Sequence, residues 1–213
     1  MNKERVIRII LVAAVSWLIF GWIMGCTPEI EPRDPEPETC SESFGDHVCD
    51  FQLIDQNGKA VNLYDHRGKI IILDFSVMWC GPCQAAAKDA DDFVKLMGPE
   101  NVVYLTVLIE DQYGEDPTVD DLDFWAKSFG IEINPVLAGN RDFLNGTGYY
   151  VAGWPTFYFI DEEMILKDVM TGYSASIMTS KVLGLLAERD ARSQRGPDTV
   201  WWPLEEANNN SPS

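Results

Sequence analysis

The sequence predicts an α/β fold in three layers, with a central mixed β-sheet, helices on both of its faces and a β-hairpin extension at the N-terminal end. Three observations predict it. Ile70-Ile71-Ile72-Leu73-Asp74-Phe75 is an apolar, β-branched run, and a helical stretch from Gln84 to Met97 follows it, closed by Gly98-Pro99. A second apolar run within Asn101 to Ile109 comes next. Runs of this length bounded by turn residues read as buried strands, and strand, helix, strand in that order form a right-handed crossover between parallel neighbours. Secondly, Phe157-Tyr158-Phe159-Ile160 and Ile165 to Thr171 read as a strand and its partner. Thirdly, Phe51 to Ile54 and Ala60 to Leu63 flank Asn57-Gly58, a dipeptide that favours tight hairpin turns.

Taken in order, 213 residues hold one ordinary domain plus extensions. Met1 to Arg8 carries Lys3, Arg5 and Arg8, Ile9 to Met24 is almost wholly apolar, and Ile23-Met24-Gly25-Cys26 ends the run with a small residue before cysteine. A basic start, an apolar core and a small residue are the order of a secretory signal. The last four residues resemble the lipobox of a bacterial lipoprotein, which implies removal of residues 1–25 and acylation of Cys26. The competing reading is an uncleaved transmembrane anchor, for which the run is short. Either way the basic end stays in the cytoplasm and the domain is exported. Residues 26–43 are rich in Pro, Glu and Asp, a composition that buries too little surface to fold and extends by self-repulsion, so they read as a tether.

The folded domain is expected over residues 44–192. Thr118 to Phe129 reads as a helix, with Thr118 as N-cap, Asp121 completing a capping box, and Leu122, Trp125 and Phe129 along one stripe. Pro135 to Leu137 is a short strand, Ala138 to Tyr150 an irregular connection, and Ala175 to Arg189 the closing helix with Ile177, Val182, Leu185 and Leu186 inward. Residues 193–213 read as a disordered polar tail that carries Trp201-Trp202.

Chemistry concentrates where the first apolar run breaks into Trp79-Cys80-Gly81-Pro82-Cys83. Two cysteines three apart at a strand-to-helix junction share a face, close enough for a disulfide to form and break without moving the backbone. The unpaired N–H groups and the positive end of the helix dipole favour the thiolate of Cys80, the more exposed of the pair. Half of a zinc site is the bland alternative, but that needs a second close pair of ligands, and no second Cys-x-x-Cys exists. Asp74 interrupts the apolar run six residues before Cys80, where an unpaired charge is costly and burial pushes a carboxyl upward. His47 and His66 are the only histidines, and neither is assigned a role.

Trp79-Cys80-Gly81-Pro82-Cys83 is the motif of thioredoxin, and its surroundings, over roughly Phe44 to Asp190, resemble the membrane-tethered TlpA/ResA-like thiol-disulfide oxidoreductases. The resemblance implies a thioredoxin-like fold and a redox-active disulfide between Cys80 and Cys83, with Cys80 as nucleophile, Cys83 resolving and Asp74 exchanging a proton behind Cys83. Gly153-Trp154-Pro155-Thr156 resembles the strand whose proline is cis and faces the cysteines. That match places Pro155 against them and offers the Trp154 backbone to a client, alongside Trp79, Gly81 and Pro82. It further implies a disulfide-containing client protein, a membrane electron donor of the DsbD type, no metal and no other cofactor. Gly81-Pro82 resembles thioredoxin, a reductant at about −270 mV. Two departures stand out: no proline kinks Gln84 to Met97, and the residue before Pro155 is a bulky tryptophan.

Five cysteines are an odd number, so lipid on Cys26 leaves four to pair. Cys40 and Cys49 are read as a structural disulfide pinning the tether to the fold, as two free thiols, or as a second redox pair that relays electrons to the first. The formal net charge is −18. Removing residues 1–25 takes away three basic residues and one acidic one and moves it to −20, which disfavours nucleic acid and anionic membrane surfaces. A monomer is expected. Three rivals stand against disulfide exchange, one of them a redox-dead scaffold, which would have lost a cysteine where both are present. A peroxiredoxin-like thiol peroxidase wants a lone cysteine in a Pro-x-x-x-Thr/Ser-x-x-Cys setting that this stretch lacks, and a Sco-like copper-binding chaperone wants Cys-x-x-x-Cys and a distant histidine.

Overall fold

A computed structural model describes residues 39–195. Cys26, the apolar run that precedes it, the tether up to residue 38 and Trp201-Trp202 lie outside the described residues. Strands β1 (Gln52–Ile54) and β2 (Ala60–Asn62) form the expected antiparallel hairpin, and a 3₁₀ turn over Leu63–His66 leads out of it. There follow β3 (Ile70–Val77), α1 (Gly81–Met97), β4 (Val102–Glu110), α2 (Val119–Phe129), β5 (Val136–Ala138), α3 (Arg141–Thr147), β6 (Thr156–Ile160), β7 (Leu166–Thr171) and α4 (Ala175–Arg195).

The five long-range strands form one sheet in the order β5-β4-β3-β6-β7. The β3–β4 and β4–β5 pairs are parallel, and β3–β6 and β6–β7 are antiparallel. Every residue of β3 is buried, as a run apolar except at Asp74 and Ser76 requires of a central strand covered on both faces. Alternation along the strands then sorts two cores. Ile70, Ile72, Tyr104, Phe157 and Phe159 pack with Ala86, Ala90 and Val94 of α1 and with Met178, Val182 and Leu185 of α4. Ile71, Leu73, Phe75, Leu105, Val107 and Tyr158 pack on the other face with Leu122 and Trp125 of α2 and Leu144 of α3.

Three expectations are corrected. Helix α1 starts at Gly81 rather than Gln84, because Cys80 is its N-cap and Pro82 sits in the first turn, where its missing N–H costs nothing. The connection from Ala138 to Tyr150 is not irregular throughout: it holds α3, capped by the Asn140 side chain, which accepts from Phe143 N–H at 2.8 Å, and ended by Gly148 in the left-handed region (φ 86°). In α4 Val182, Leu185 and Leu186 face inward as expected, but at the start of the helix Ile177 is half exposed and Met178 is buried in its place. That helix also runs on to Arg195, which carries Arg192 into ion pairs with Asp161 and Glu162.

Candidate active site

The site forms at the end of β3. The chain leaves that strand at Val77, makes a tight turn in which Cys80 N–H donates to Val77 O at 3.3 Å, and enters α1. Met78 N–H donates to Glu110 O at 3.0 Å and Gln84 Nε2 to Met78 O at 2.9 Å, so the turn is tied to the end of β4 and to α1. Cys80 Sγ accepts the N–H of Cys83 at 3.2 Å, the contact an N-capping side chain makes. The two cysteines are bonded to each other with Cα atoms 5.2 Å apart. Both are buried, Cys80 at 6 % exposure and Cys83 at 0 %, while Gly81 and Pro82 between them are exposed. Attack from solvent therefore falls on the Cys80 side, at a helix N-terminus whose unpaired N–H groups favour a thiolate.

Asp74 is fully buried on β3, on the sheet face that α1 and α4 cover. Burial drives its carboxyl up to about 7, against hydrogen bonds from Ser76 Oγ (2.7 Å) and Tyr104 OH (2.9 Å) that pull the other way. Asp74 accepts from these two hydroxyls, and neither cysteine sulfur is hydrogen-bonded to it. Tyr104 and Ser76 were not singled out from the sequence. Ser76 could have been, as the second polar residue of an apolar strand, but Tyr104 arrives from β4, thirty residues away, by the parallel pairing of β3 with β4. The Tyr104 phenol is itself driven up, first by burial and then by the Asp74 charge.

The Trp154–Pro155 peptide bond is cis. Thr156 pairs with Phe75, so β6 delivers Pro155 beside the end of β3 from which the cysteine turn departs. Trp79, ahead of Cys80, is half exposed and donates from its indole to Glu110 Oε2 at 2.9 Å. The structure thus gathers Trp79, Cys80, Gly81, Pro82, Cys83, Trp154 and Pro155 at one end of the sheet. Asp74 lies in the interior behind them. Cys40 and Cys49 are bonded to each other in a loop that runs along the segment entering β7, where Gly45 N–H donates to Leu166 O and Val48 N–H to Met164 O, both at 2.9 Å. They are a separate pair, and the reading of two free thiols falls.

An arrangement of two bonded cysteines at a helix start, with a raised carboxyl on the strand beneath, can accept or give two electrons and move a proton. Comparison with known proteins agrees with this chemistry. Residues 44–169 match the AhpC/TSA family model. The thiol-disulfide oxidoreductase ResA of Geobacillus thermodenitrificans is 26 % identical over 169 residues, spanning 79 % of this chain and 86 % of that protein. ResA of Bacillus subtilis is 26 % identical over 180 residues, 84 % of this chain and 89 % of its own. Among solved structures, the pneumococcal exposed lipoprotein thioredoxin of Streptococcus pneumoniae is similar with a TM-score of 0.54 at 31 % identity, covering 64 % of this chain and all of that one. A thiol:disulfide interchange protein of Chlorobium tepidum shares the fold, with a TM-score of 0.57 at 20 % identity over 68 % of this chain and 98 % of its own. The chain belongs to the AhpC/TSA family and has its thioredoxin-like fold, in the branch whose relatives are named thiol-disulfide oxidoreductases.

Proposed function

We propose that this protein is an extracytoplasmic, lipid-tethered oxidoreductase that reduces disulfides of client proteins through Cys80 and Cys83. The observation that carries the reading is the cap. Cys80 Sγ is the acceptor of the first turn of α1, so the same N–H group that holds the helix start also stabilises negative charge on that sulfur. In the reduced enzyme the Cys80 thiolate attacks one sulfur of a client disulfide. The client S–S bond breaks, a mixed disulfide with Cys80 forms, and the other client sulfur leaves as a thiolate that takes a proton from water. Cys83 then gives its proton toward Asp74, and its thiolate attacks Cys80 Sγ. The second client sulfur is released, and the Cys80–Cys83 bond closes. Two electrons pass from enzyme to client, and the proton on Asp74 returns to solvent.

Trp79, Gly81 and Pro82 on one side and Trp154 with Pro155 on the other flank the position of the client sulfur. The Trp154 backbone lies just before β6 and offers an edge to an extended client segment. Turnover needs a dithiol that re-reduces Cys80–Cys83, a role suited to a membrane donor of the DsbD type. Cys26 is the proposed lipid attachment point, supported by the apolar run that ends on it. Among the described residues no helix is long and apolar enough to cross a membrane.

Thiol trapping of the full-length protein in intact cells tests the direction of flow. Mostly reduced Cys80 and Cys83 is the expected result, and a mostly oxidised pair would show an oxidase instead. Mass spectrometry of the mature N-terminus from the same cells should show acylated Cys26; a chain beginning at Met1 would remove the anchor from the account.

A further inference from the structure

The residues that flank the cysteines are joined by a polar bridge that disulfide exchange itself does not require. Trp79 Nε1 donates to Glu110 Oε2 at 2.9 Å. The other oxygen of that carboxylate accepts from Arg141 Nε at 2.6 Å, and a second guanidinium nitrogen closes on the same oxygen. The Arg141 guanidinium in turn lies over the ring of Trp154, 5.2 Å from its centroid. Four elements meet in this bridge: the turn before α1, the last residue of β4, the first residue of α3 and the segment before β6. One tryptophan directly precedes Cys80 and the other directly precedes Pro155, so the bridge spans the two sides between which a client sulfur must enter.

We infer that Arg141 is a positioning residue that sets client specificity, by holding Trp79 and Trp154 as the two walls of a groove for an extended client segment with an apolar side chain beside its cysteine. The inference rests on the reductase reading above. Charge decides the class of client. Glu110 is largely buried and Arg141 half exposed, with side chains at 13 % and 53 %, and they neutralise each other. The pair therefore adds no net charge between the two indoles, and the charged neighbours Asp111, Asp116 and Asp142 are all acidic, on a protein whose formal charge is −18. An acidic side chain is repelled there, whereas an apolar or aromatic one gains by covering the exposed Trp79 ring and its neighbour. Arginine suits the post because its planar fork can meet a carboxylate through two nitrogens while its face lies on an indole, and lysine cannot do both. Without Arg141 the Glu110 charge is uncompensated beside Trp79, and Trp154 loses the plane that holds it.

The experiment uses the reduced enzyme and two peptide disulfides that differ only in the residue next to the reactive cysteine, phenylalanine in one and serine in the other. For the parent, kcat/KM for the phenylalanine peptide should exceed that for the serine peptide about tenfold, a factor within the reach of one apolar contact, with the difference in KM. In Arg141→Ala the ratio should fall to about two or below through a rise in KM for the phenylalanine peptide, and Arg141→Lys should fall between the two. Thermal melts of all three proteins accompany the kinetics. Should Arg141→Ala fail to fold, Arg141→Lys alone decides, and a ratio equal to the parent's overturns the inference. An unchanged ratio in a folded Arg141→Ala overturns it likewise and leaves the reductase reading intact. A parent that reduces neither peptide overturns both.

Discussion

Cys80–Cys83 and Cys40–Cys49 are two disulfides of one small domain, and their surroundings differ more than their geometry, with Cα atoms 5.2 Å and 4.9 Å apart. The first is the more buried: Cys80 and Cys83 are closed in, whereas Cys40 is exposed and Cys49 half-buried. Exposure alone would therefore pick the wrong pair as reactive. What marks the first is its supports: a helix N-terminus whose N–H points at a sulfur, a fully buried carboxyl on the feeding strand, and Trp79 and Trp154 joined beside it through Glu110 and Arg141. The second closes a loop laid along β7, with backbone hydrogen bonds between Ser41 and His47, Gly45 and Leu166, and Asp46 and Leu166. Glu42 inside that loop is also pushed upward by burial, but the N–H groups of its own residue and of Cys49 pull against the shift, and it stands at no helix start. Reactivity follows from the helix end and the buried carboxyl; the loop pair has the surroundings of a staple.

The largest effect that would sharpen this contrast is expected at Asp74. Burial pushes its folded-state carboxyl up to about 7, above the ordinary carboxylate value of 3.8. The protonated form is thus favoured by folding. The stability it contributes is fully present below about pH 4 and is lost as pH rises from there to about 7, with a loss of about 4 kcal/mol above that as an upper figure. Asp74→Asn keeps the shape and removes the charge. It should leave stability near pH 4 almost unchanged and raise it at pH 8 by about 2 to 4 kcal/mol in denaturant unfolding. Release of the mixed disulfide should slow about a hundredfold, because Cys83 loses its proton acceptor. A variant no more stable at pH 8, with a rate profile that overlays the parent's between pH 5 and 9, would reduce Asp74 to a polar residue of the core.

A smaller effect is expected at the other pair. Replacing Cys40 and Cys49 together by serine reopens a loop of nine residues' separation, which on the chain-entropy estimate costs about 2 to 3 kcal/mol and lowers the melting temperature. Disulfide reduction by Cys80 and Cys83 should be spared. Loss of turnover with an unchanged melt would break the comparison and make the loop pair a relay.

The contrast also shows what a sequence exposes and what it hides. Strands β3, β4 and β6 are legible because they are almost wholly buried and their runs are apolar but for a few polar residues, Asp74 the one charge inside them, and the cysteine turn because its two cysteines stand three apart at the end of such a run. Asp74 was legible for the same reason: a charge is conspicuous in such a run. Helix α3 was not, since Asn145-Gly146 and Gly148 read as a break and only Leu144 is buried in its seven residues. The slip in α4 has a similar cause, with Ile177 and Met178 adjacent and both apolar, so that sequence spacing alone does not choose which faces the sheet. Tyr104 behind Asp74, and Glu110 with Arg141 between the tryptophans, could not be read at all. Their partners come from other elements, and only the pairing of β3 with β4 and the return of the chain through α3 bring them together.

The central claim is that Cys80 attacks and Cys83 resolves. Its most direct measurement is adduct capture in cells that carry Cys83→Ser or Cys80→Ser in the full-length protein, with non-reducing gels and mass spectrometry of whatever is bound. Cys83→Ser should accumulate client proteins in disulfide linkage to Cys80, because attack proceeds and release does not, and Cys80→Ser should accumulate none. Equal capture by both variants, or capture by Cys80→Ser alone, would contradict the assignment of the nucleophile and with it the reading of the helix cap.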